Sequence, residues 1–342
     1  MKTVILCGGA GTRLWPVSKQ ESPKQFAKIF DGQSLFEKTV ERNKDFSDSL
    51  SVVVNKTQLP LCKSQVHSNS SFKTSFLVES VARNTAAAIA LSAFHSNEEE
   101  ILLILPSDHL IKDENLYKEA VTNASKLAQQ DKLVTFGIKA QYPETGFGYI
   151  EADGNEVKSF KEKPNYETAC EYIKNENYFW NSGMFCFKAK IFLDELEKYA
   201  PKIYEEAKNT YEKSKIDNDT YFFQEEDMEQ IPSNSIDYAV MENSDIVNVV
   251  PSFFYWSDLG SFDSLYSELE KDQQGNTNSP NHISLNSNNN LIVADKKLIA
   301  TFDVDDLIIV DTEDAILIGK RGKSQNVKNL LEKVRNSKIL DK

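Results

Sequence analysis

Short apolar runs alternate with helical patterns over residues 1–140 of the chain. Ile101–Leu105 (ILLIL) is apolar at every position, as expected for a strand that is buried on both faces. The repeated strand–helix–strand order predicts an α/β fold with a mostly parallel mixed sheet and helices on both faces. The predicted strands are Thr3–Cys7, Ser51–Asn55, Ser75–Val78, Ile101–Leu105 and Lys132–Gly137, and the predicted helices are Ser34–Lys44, Thr85–His95 and Asn115–Gln130.

The middle of the chain, residues 140–260, mixes both patterns without an internal boundary, and we assign residues 1–270 to one domain. The predicted strands here are Gly148–Glu151, Val157–Lys161 and Met184–Phe187, and the predicted helices are Thr168–Lys174, Ile191–Tyr199 and Ile236–Glu242.

The chain changes character after this domain. Residues 271–290 are rich in asparagine, and Gln273–Asn290 carries no formal charge, which predicts a linker or a long solvated loop. Short β-like pieces then recur about every eight residues, a spacing typical of a small β-rich, β-helix-like unit. With a closing helix over Ser324–Leu340, this unit would span residues 291–342.

Composition and charge narrow the function. The chain of 342 residues is 40% hydrophobic and 27% charged, typical of globular proteins, and its net charge of -13 argues against nucleic-acid or anionic-membrane partners. No apolar run approaches the roughly 18 residues that span a bilayer, and the N-terminus lacks an export signal. The four cysteines fit no metal or redox motif, so we expect reduced thiols in a cytoplasmic protein.

A glycine-rich segment follows the first predicted strand. Gly8, Gly9 and Gly11 allow a ligand close to the backbone and expose its N–H groups. Residues 1–30 hold five basic side chains and one acidic one, so the segment predicts an anion site flanked by Arg13 and Lys24. A tight strand-to-helix turn is the alternative, although glycine alone does not require these two cations. The spacing fits neither the dinucleotide fingerprint nor the Walker A motif.

Several other polar residues have a structural as well as a functional interpretation. Asp108, after the buried strand, is placed equally well to cap the next helix or to bind a ligand at the carboxyl edge of the sheet. Asn84 and Thr85 begin a helical pattern, where they would serve as N-terminal caps. Glu162 and Lys163 read as a surface ion pair, which contributes little stability.

The motifs together resemble the sugar-nucleotide pyrophosphorylases, and among them the bacterial mannose-1-phosphate guanylyltransferases. The family pattern G-G-x-G-T-R-L-W-P-x-S followed by P-K-Q-F is present, and the likeness covers about residues 2–265. Ser80 and Ala87 depart from it, since the family commonly has proline there. The further matching segments are Glu79–Ile89, Leu105–His109, Pro143–Ile150, Phe160–Pro164, Trp180–Phe185, Ser235–Glu242 and Trp256–Gly260.

The resemblance implies a Rossmann-like nucleotidyltransferase domain and transfer of GMP from GTP to α-D-mannose 1-phosphate, giving GDP-mannose and pyrophosphate with Mg²⁺. Two alternatives stay open: a nucleotidyltransferase for another sugar 1-phosphate, such as that of heptose, fucose or glucose, and a non-catalytic regulatory subunit. Relatives also suggest a homodimer, with the C-terminal unit either mediating it or covering the catalytic domain. Many relatives carry a further isomerase domain, and the length of this chain leads us to expect no phosphomannose isomerase activity.

The resemblance also assigns roles residue by residue. The nucleotide-binding residues are Gly8, Gly9, Gly11, Thr12, Arg13, Lys24, Arg83, Asn84 and Thr85, of which Arg13 and Lys24 are catalytic. The sugar-phosphate residues are Gly146, Glu162, Lys163, Asn181 and Asp258, and the metal ligands are Asp108 and Asp258.

Overall fold

The computed structural model describes residues 1–9, 11–19, 22–30, 32–67, 73–294 and 296–337. The strands are β1 Lys2–Cys7, β2 Ser49–Asn55, β3 Lys73–Glu79, β4 Ile101–Pro106, β5 Leu110–Ile111, β6 Leu133–Lys139, β7 Tyr149–Asp153, β8 Glu156–Lys161, β9 Tyr178–Lys188, β10 Lys215–Asp217, β11 Thr220–Phe222, β12 Val247–Ser252, β13 Trp256–Ser257, β14 His282–Leu285, β15 Leu291–Ala294, β16 Ile299–Phe302, β17 Leu307–Asp311 and β18 Ile316–Lys320. The α-helices are α1 Leu35–Asn43, α2 Leu59–His67, α3 Asn84–Phe94, α4 Glu114–Gln129, α5 Tyr166–Tyr172, α6 Ala189–Tyr199, α7 Pro201–Glu212, α8 Glu225–Met228, α9 Phe262–Glu268 and α10 Val327–Asn336.

The chain forms two compact units. The first, which we call the sheet unit, comprises Met1–Gly8, Thr39–Ser107 and Ile111–Trp256. Its sheet has the strand order β10-β11-β3-β2-β1-β4-β9-β6-β12-β8-β7 over the described residues. β1, β2, β3 and β4 are parallel to their neighbours in this group, whereas β9 runs antiparallel to β4 and β6. The predicted mixed, mostly parallel sheet is confirmed in its central part.

Both faces of this sheet are buried. Along β4, Leu102 and Ile104 join one hydrophobic cluster with side chains of α3, α6 and α7. Leu103 and Leu105 join a second cluster with side chains of α4. Successive side chains of a strand point to opposite faces, so helices cover the sheet on both sides, as the all-apolar pattern predicts.

The carboxyl ends of three neighbouring parallel strands lie together at one edge of this sheet. Cys7 of β1 is in register with Val54 of β2, and Asn55 at the end of β2 is in register with Glu79 of β3. The chain passes from β1 directly into Gly8. Ligands of open α/β sheets bind outside such carboxyl ends, so this edge locates the candidate site.

The second unit, which we call the tail unit, comprises Gly9–Lys38, Asp108–Leu110 and Ser257–Lys342. Two parallel pairings in it share one sequence offset: His282 of β14 is in register with Ile299 of β16, and Leu291 of β15 with Ile308 of β17. β18 closes this part by pairing antiparallel with β17. The repeated offset is that of stacked coils, and it confirms the predicted β-helix-like character.

The prediction of a solvated linker at residues 271–290 is wrong. The segment contains β14 and belongs to the coils, and Asn276 and Asn290 are fully buried. The Nδ2 of Asn290 donates to Oδ1 of Asn276 at 3.0 Å, and the Oδ1 of Asn290 accepts from the N–H of Leu307 at 2.8 Å. Asparagine side chains here form hydrogen bonds with buried polar groups, including a backbone N–H. The prediction failed because it assumed that polar residues lie in solvent.

The compact units also differ from the predicted boundary at residue 270. Gly9–Lys38, from the N-terminal region, groups with the tail, because Leu14 shares a buried cluster with Leu317 and Val327. The predicted closing helix is found as α10, preceded by a 3-10 turn at Ser324–Asn326; its predicted end at Leu340 lies outside the described residues. Within the part of the chain that the structure describes, no helix is long and apolar enough to span a membrane.

Candidate active site

The segment Gly8–Pro16, which we call the glycine loop, has a backbone that requires glycine. Gly11 has φ 53° and ψ 32°, and a Cβ there would lie 2.4 Å from Oγ of Ser18. Gly9 has φ 90°. The same Ser18 Oγ accepts the N–H of Lys24 at 3.0 Å, so the loop is fastened against the second basic motif. Gly8 and Gly9 are exposed, which leaves their backbone open to a ligand.

A 3-10 turn at Thr12–Leu14 sets the direction of the side chains after the glycines. Leu14 is buried in the core of the tail unit, whereas Arg13 is exposed. The buried leucine therefore fixes the turn that presents the Arg13 guanidinium to solvent. The structure is consistent with an anion site here, and the roles of Thr12 and Arg13 remain predictions.

Lys24 is the most constrained cation of the predicted set. It is only 7% exposed, and its Nζ lies 2.8 Å from Oδ2 of Asp108. Nζ also donates to the main-chain carbonyl of Asp258 at 2.5 Å. The tail unit thus brings together Lys24 and both predicted metal ligands, which are far apart in sequence.

The carboxyl group of Asp108 lies beside two basic side chains, Lys24 and His109. Burial by itself raises the pKa of this carboxyl, but the Lys24 ammonium and the His109 ring beside it outweigh burial, so the pKa is lowered. The Nε2 of His109 is 3.9 Å from Oδ1 of Asp108. Asp108 is therefore ionised beside Lys24. It does not cap the next helix, because the N-cap of α4 is Asp113, and its role as a ligand stays a prediction.

Asp108 and Asp258 are the two carboxylates predicted to bind Mg²⁺, and this assignment stays a prediction. The Oδ1 of Asp258 accepts the N–H of Gly260 at 3.0 Å, whereas its main-chain carbonyl accepts from Lys24. Among the described residues, no group of three or more His, Cys, Asp or Glu side chains could hold a metal alone. Mg²⁺ commonly binds through one or two carboxylates with substrate phosphates and water, which these residues suit.

The loop between β3 and α3, residues 79–85, is braced from several sides within the sheet unit. Arg83 donates from Nε to the carbonyl of Ile231 at 2.6 Å and from its terminal nitrogen to that of Glu229 at 3.0 Å. Asn84 begins α3 at φ 67°, and its Oδ1 accepts the N–H of Thr85 at 2.8 Å. Arg83 therefore supports this loop through two main-chain carbonyls. The capping interpretation of Asn84 is not confirmed, because α3 has Arg83 at its N-cap position and no side-chain capping hydrogen bond.

Glu79 is a residue of this loop that the sequence analysis did not assign. Its Oε1 is buried and has no hydrogen-bond partner in the described part of the chain. Burial raises the pKa of this carboxyl to about 7. The signal in the sequence was a lone acidic residue at the end of an apolar strand.

The predicted sugar-phosphate residues come together around Asn181 in part. The carbonyl of Gly148 accepts the N–H of Asn181 at 2.8 Å, and a Cβ on Gly148 would lie 3.2 Å from Oε2 of Glu162. Lys163 pairs with Glu162 at 2.6 Å, the surface ion pair considered above. Of the two neighbouring glycines, Gly146 and Gly148, it is therefore Gly148 that lies next to Asn181 and Glu162.

Gly146 lies elsewhere on that loop. Its N–H donates to Oε1 of Glu144 at 2.7 Å, a local turn contact. Its assignment to the sugar phosphate stays a prediction, as does that of Lys163.

Asp237 is the second residue that the sequence analysis did not assign. Its Oδ1 accepts from Nδ2 of Asn181 at 2.8 Å, and burial followed by the nearby Glu162 charge raises its pKa. The predicted helix Ile236–Glu242 is a π-helix over Asp237–Met241, a form often found at functional sites. The N–H of Ile236 donates to Oγ1 of Thr85 at 2.9 Å, so this segment links the 79–85 loop to Asn181.

Comparison with known proteins identifies the family of the chain. The nucleotidyl transferase family model matches residues 2–275, and the MannoseP isomerase/GMP-like beta-helix domain model matches residues 280–334. The mannose-1-phosphate guanylyltransferase of Salmonella muenchen is 39% identical over 341 residues, covering 96% of this chain and 72% of its own length. The xanthan biosynthesis protein XanB of Xanthomonas campestris pv. campestris is 38% identical, covering 98% of this chain and 73% of its own.

A solved structure extends the likeness to the whole chain. The crystal structure of a mannose-1-phosphate geranyltransferase from Thermus thermophilus has a TM-score of 0.86 and 28% identity, covering 98% of this chain and 99% of that one. Sequence motifs, fold and relatives agree over both units. The chain belongs to the nucleotidyl transferase family and, within it, to the mannose-1-phosphate guanylyltransferases.

Proposed function

We propose that this protein transfers GMP from GTP to α-D-mannose 1-phosphate and releases pyrophosphate, with GDP-mannose as the product. The observation that carries the proposal is the buried Lys24–Asp108 pair beside the glycine loop, in a chain 39% identical to a mannose-1-phosphate guanylyltransferase. A site that neutralises phosphate needs such fixed charges, and a purely structural turn does not.

In the proposed reaction, a phosphate oxygen of mannose 1-phosphate attacks the α-phosphorus of GTP, forming the new P–O bond as the bond to pyrophosphate breaks. The nucleophile belongs to the substrate, so the protein needs no nucleophilic side chain of its own. Catalysis then rests on positioning and on stabilising charge in the transition state. The exposed backbone of Gly8 and Gly9, with the Arg13 guanidinium, is suited to the triphosphate.

Mg²⁺ is the proposed cofactor, with Asp108 and Asp258 as its protein ligands. When bound, it would neutralise phosphate oxygens as a Lewis acid. The chain's own contribution is to hold Asp108 ionised, which the neighbouring Lys24 ammonium does in the free protein. Lys24 is then available to the phosphates as a second cation.

The sugar phosphate is proposed to bind at Asn181 and Glu162. Asn181 is oriented by Asp237 at 2.8 Å, and Glu162 is 43% exposed in its side chain, so its oxygens are accessible to sugar hydroxyl donors. Lys163, which pairs with Glu162 in the free protein, is proposed to exchange that partner for the 1-phosphate.

The test measures pyrophosphate release over a matrix of four nucleotides (GTP, ATP, UTP and dTTP) and four sugar 1-phosphates (mannose, glucose, fucose and heptose). Each pair is run with Mg²⁺ and again with the metal chelated. A dominant rate for GTP with mannose 1-phosphate, lost on chelation, supports the proposal. A dominant rate for another pair reassigns the substrate, and nucleotide binding without turnover identifies a regulatory subunit. A full rate with the metal chelated contradicts the assignment of Mg²⁺.

We also propose where in the cell the reaction takes place and what its product is used for. The four cysteines are free thiols, and GTP is a cytoplasmic substrate, which supports a cytoplasmic enzyme. The relative named for xanthan biosynthesis supports a product used for polysaccharide.

The homodimer that the resemblance implies is tested by sedimentation equilibrium, where a monomer mass across the accessible concentrations would contradict it.

A further inference from the structure

Ser18 lies between the glycine loop and Lys24, the two parts of the proposed phosphate site. The residue is buried, with 2% of its surface exposed. Its N–H donates to the carbonyl of Leu14 at 3.0 Å, and Leu14 is buried in the core of the tail unit. Ser18 is therefore held by the same turn that carries Arg13.

The side chain of Ser18 contacts both parts of this site. Its Oγ accepts the N–H of Lys24 at 3.0 Å. A Cβ built at Gly11 would overlap the same Oγ and would lie 3.5 Å from Cγ of Lys24. No side chain fits between the loop and these two residues. One buried hydroxyl therefore sets the distance between the backbone of the glycine loop and that of Lys24.

The far end of the Lys24 side chain is fixed as well. Its Nζ lies 2.8 Å from Oδ2 of Asp108 and donates to the main-chain carbonyls of Asp258 at 2.5 Å and Leu259 at 3.4 Å. Three oxygens match the three donors of an ammonium group. The hydrogen bond from Ser18 fixes the main-chain end, so the whole lysine is held in one place.

The distance between the glycine loop and Lys24 matters for the proposed transfer. During the reaction, negative charge develops on the pyrophosphate that leaves the α-phosphorus. Donors and cations stabilise such a transition state when they are already aimed at the place where charge develops. A displacement of about 1 Å at such a group can lower the rate by about 100-fold. A residue that sets this distance therefore affects kcat more than it affects the binding of GTP.

We propose that Ser18 is a positioning residue of the transfer reaction, whose hydroxyl fixes Lys24 relative to the backbone of the glycine loop. This inference rests on the proposed function, which places the triphosphate at the glycine loop and gives Lys24 a catalytic role. Ser18 acts through Lys24 and not on the substrate, because Ser18 is almost completely buried, whereas Gly8 and Gly9 are exposed.

The first test is Ser18→Ala, which removes the acceptor and keeps Cβ. We expect kcat for GTP and mannose 1-phosphate to fall about tenfold, while KM for GTP changes less than about twofold. Calorimetric titration with GTP should give a Kd within about twofold of the wild-type value, because the exposed backbone of the loop still binds the triphosphate.

The second test combines Ser18→Ala with Lys24→Ala in a double-mutant cycle. A residue that acts through Lys24 has nothing left to position once that side chain is removed. Ser18→Ala should therefore lower kcat in the wild-type background and change it less than about twofold in the Lys24→Ala background. A merely structural role would lower kcat by the same factor in both. Single-turnover assays with radiolabelled GTP resolve the low rates of the Lys24→Ala proteins.

Ser22→Ala is the matched control. It makes the same substitution in the same segment, at a serine whose side chain forms no hydrogen bond among the described residues. It should leave kcat and KM at their wild-type values. Urea unfolding of every variant shows whether it is folded under the conditions of the assay.

Three results would overturn the inference: an unchanged kcat in Ser18→Ala, a raised KM for GTP with constant kcat, or an equal loss of kcat in both backgrounds of the cycle. In each case, transfer by wild type would leave the guanylyltransferase function intact. A wild type without transfer activity removes the proposed function itself, and the inference with it.

Discussion

At the scale of single residues, the central feature is a lysine that the fold holds in place through its partners. Lys24 is almost completely buried, ion-paired with Asp108 and bonded to the carbonyl of Asp258. Sequence motifs identified all three residues, because each motif is a short contiguous match. That Lys24 contacts both aspartates is a fact of the tertiary structure, since the three residues belong to motifs that lie far apart along the chain.

Lys24→Ala should lower kcat by about 100-fold or more, because it removes a preorganised cation from the phosphate site. It should also lower the free energy of unfolding by about 2–3 kcal/mol, since it leaves Asp108 partly buried without its partner. Steady-state kinetics and urea unfolding measure the two effects. Lys28→Ala is the control. Lys28 is 58% exposed and forms an ion pair with Glu37 at 3.6 Å, and an exposed ion pair contributes little to stability. An unchanged kcat with a raised KM would assign Lys24 to ground-state binding.

Glu79 makes a prediction about pH and stability. Its pKa is raised from 4.5 to about 7 by burial, so between these pH values the folded protein holds a proton that the unfolded chain has released. Stability contributed by this group therefore falls as the pH rises from about 4.5 to 7, and the full penalty of about 3 kcal/mol is present above pH 7. Glu79→Gln does not titrate, so its stability relative to wild type should increase by about 2 kcal/mol from pH 5 to pH 8. Urea unfolding at both values measures this, and a difference independent of pH would contradict it.

At the scale of elements, apolar patterns predicted most strands and helices of the sheet unit. Segments interrupted by polar residues, or rich in them, were predicted wrongly. The predicted strand Ile101–Leu105 is β4, found as Ile101–Pro106. The strand β9 runs over Tyr178–Lys188, although only Met184–Phe187 was predicted, because Asn181, Ser182 and Gly183 interrupt its apolar pattern. They lie in a strand because β4 and β6 flank it on both sides, which no local pattern shows.

The asparagine-rich coil is the second case at this scale. Asn290 is fully buried and bonds to Asn276, to the carbonyl of Val304 and to the N–H of Leu307. Consecutive coils are therefore joined through a polar side chain as well as by the apolar contacts of Leu291 and Ile308. The sequence analysis placed these asparagines in solvent on composition alone. An asparagine side chain forms hydrogen bonds equally well with water and with buried backbone groups, so composition does not distinguish the two.

Asn290→Ala should lower the free energy of unfolding by about 3 kcal/mol, because it leaves a backbone N–H and a carbonyl buried without partners. Asn278→Ala, at an exposed position of the same segment, should change it by less than about 0.5 kcal/mol. Thermal and urea unfolding of the two variants test this. Equal stabilities would mean that the buried network contributes nothing.

At the scale of the whole molecule, the tail is part of the proposed phosphate site. The buried cluster of the tail unit contains Leu14, which follows Arg13 in the same turn, together with Leu317 of β18 and Val327 of α10. Residues near opposite ends of the chain thus form one buried core in the tail unit. The C-terminal coils are accordingly expected to set the position of Arg13 as well as their own stability.

Leu317→Ala should destabilise the protein by about 2–4 kcal/mol through the cavity it creates, and should lower kcat/KM for GTP, because Leu14 loses a packing partner. Ile318→Ala is a close control: the adjacent residue on β18 is 66% exposed, whereas Leu317 is 4% exposed. Activity measured well below the unfolding temperature of each variant isolates the positional effect. Wild-type kinetics in a destabilised Leu317→Ala would restrict the tail to a stabilising role.

The sequence by itself determined the α/β class, the β-helix-like tail and the contiguous motifs of the site, because strand burial, glycine content and local charge are properties of short segments. The tertiary structure alone decided three matters: the buried contacts of Lys24, the membership of Leu14 in the core of the tail unit, and the burial of Glu79 Oε1 without a hydrogen-bond partner among the described residues. Each of these depends on which distant segments fold against one another and on which polar atoms that folding removes from water. A local sequence pattern contains no information about distant contacts or about which polar atoms become buried.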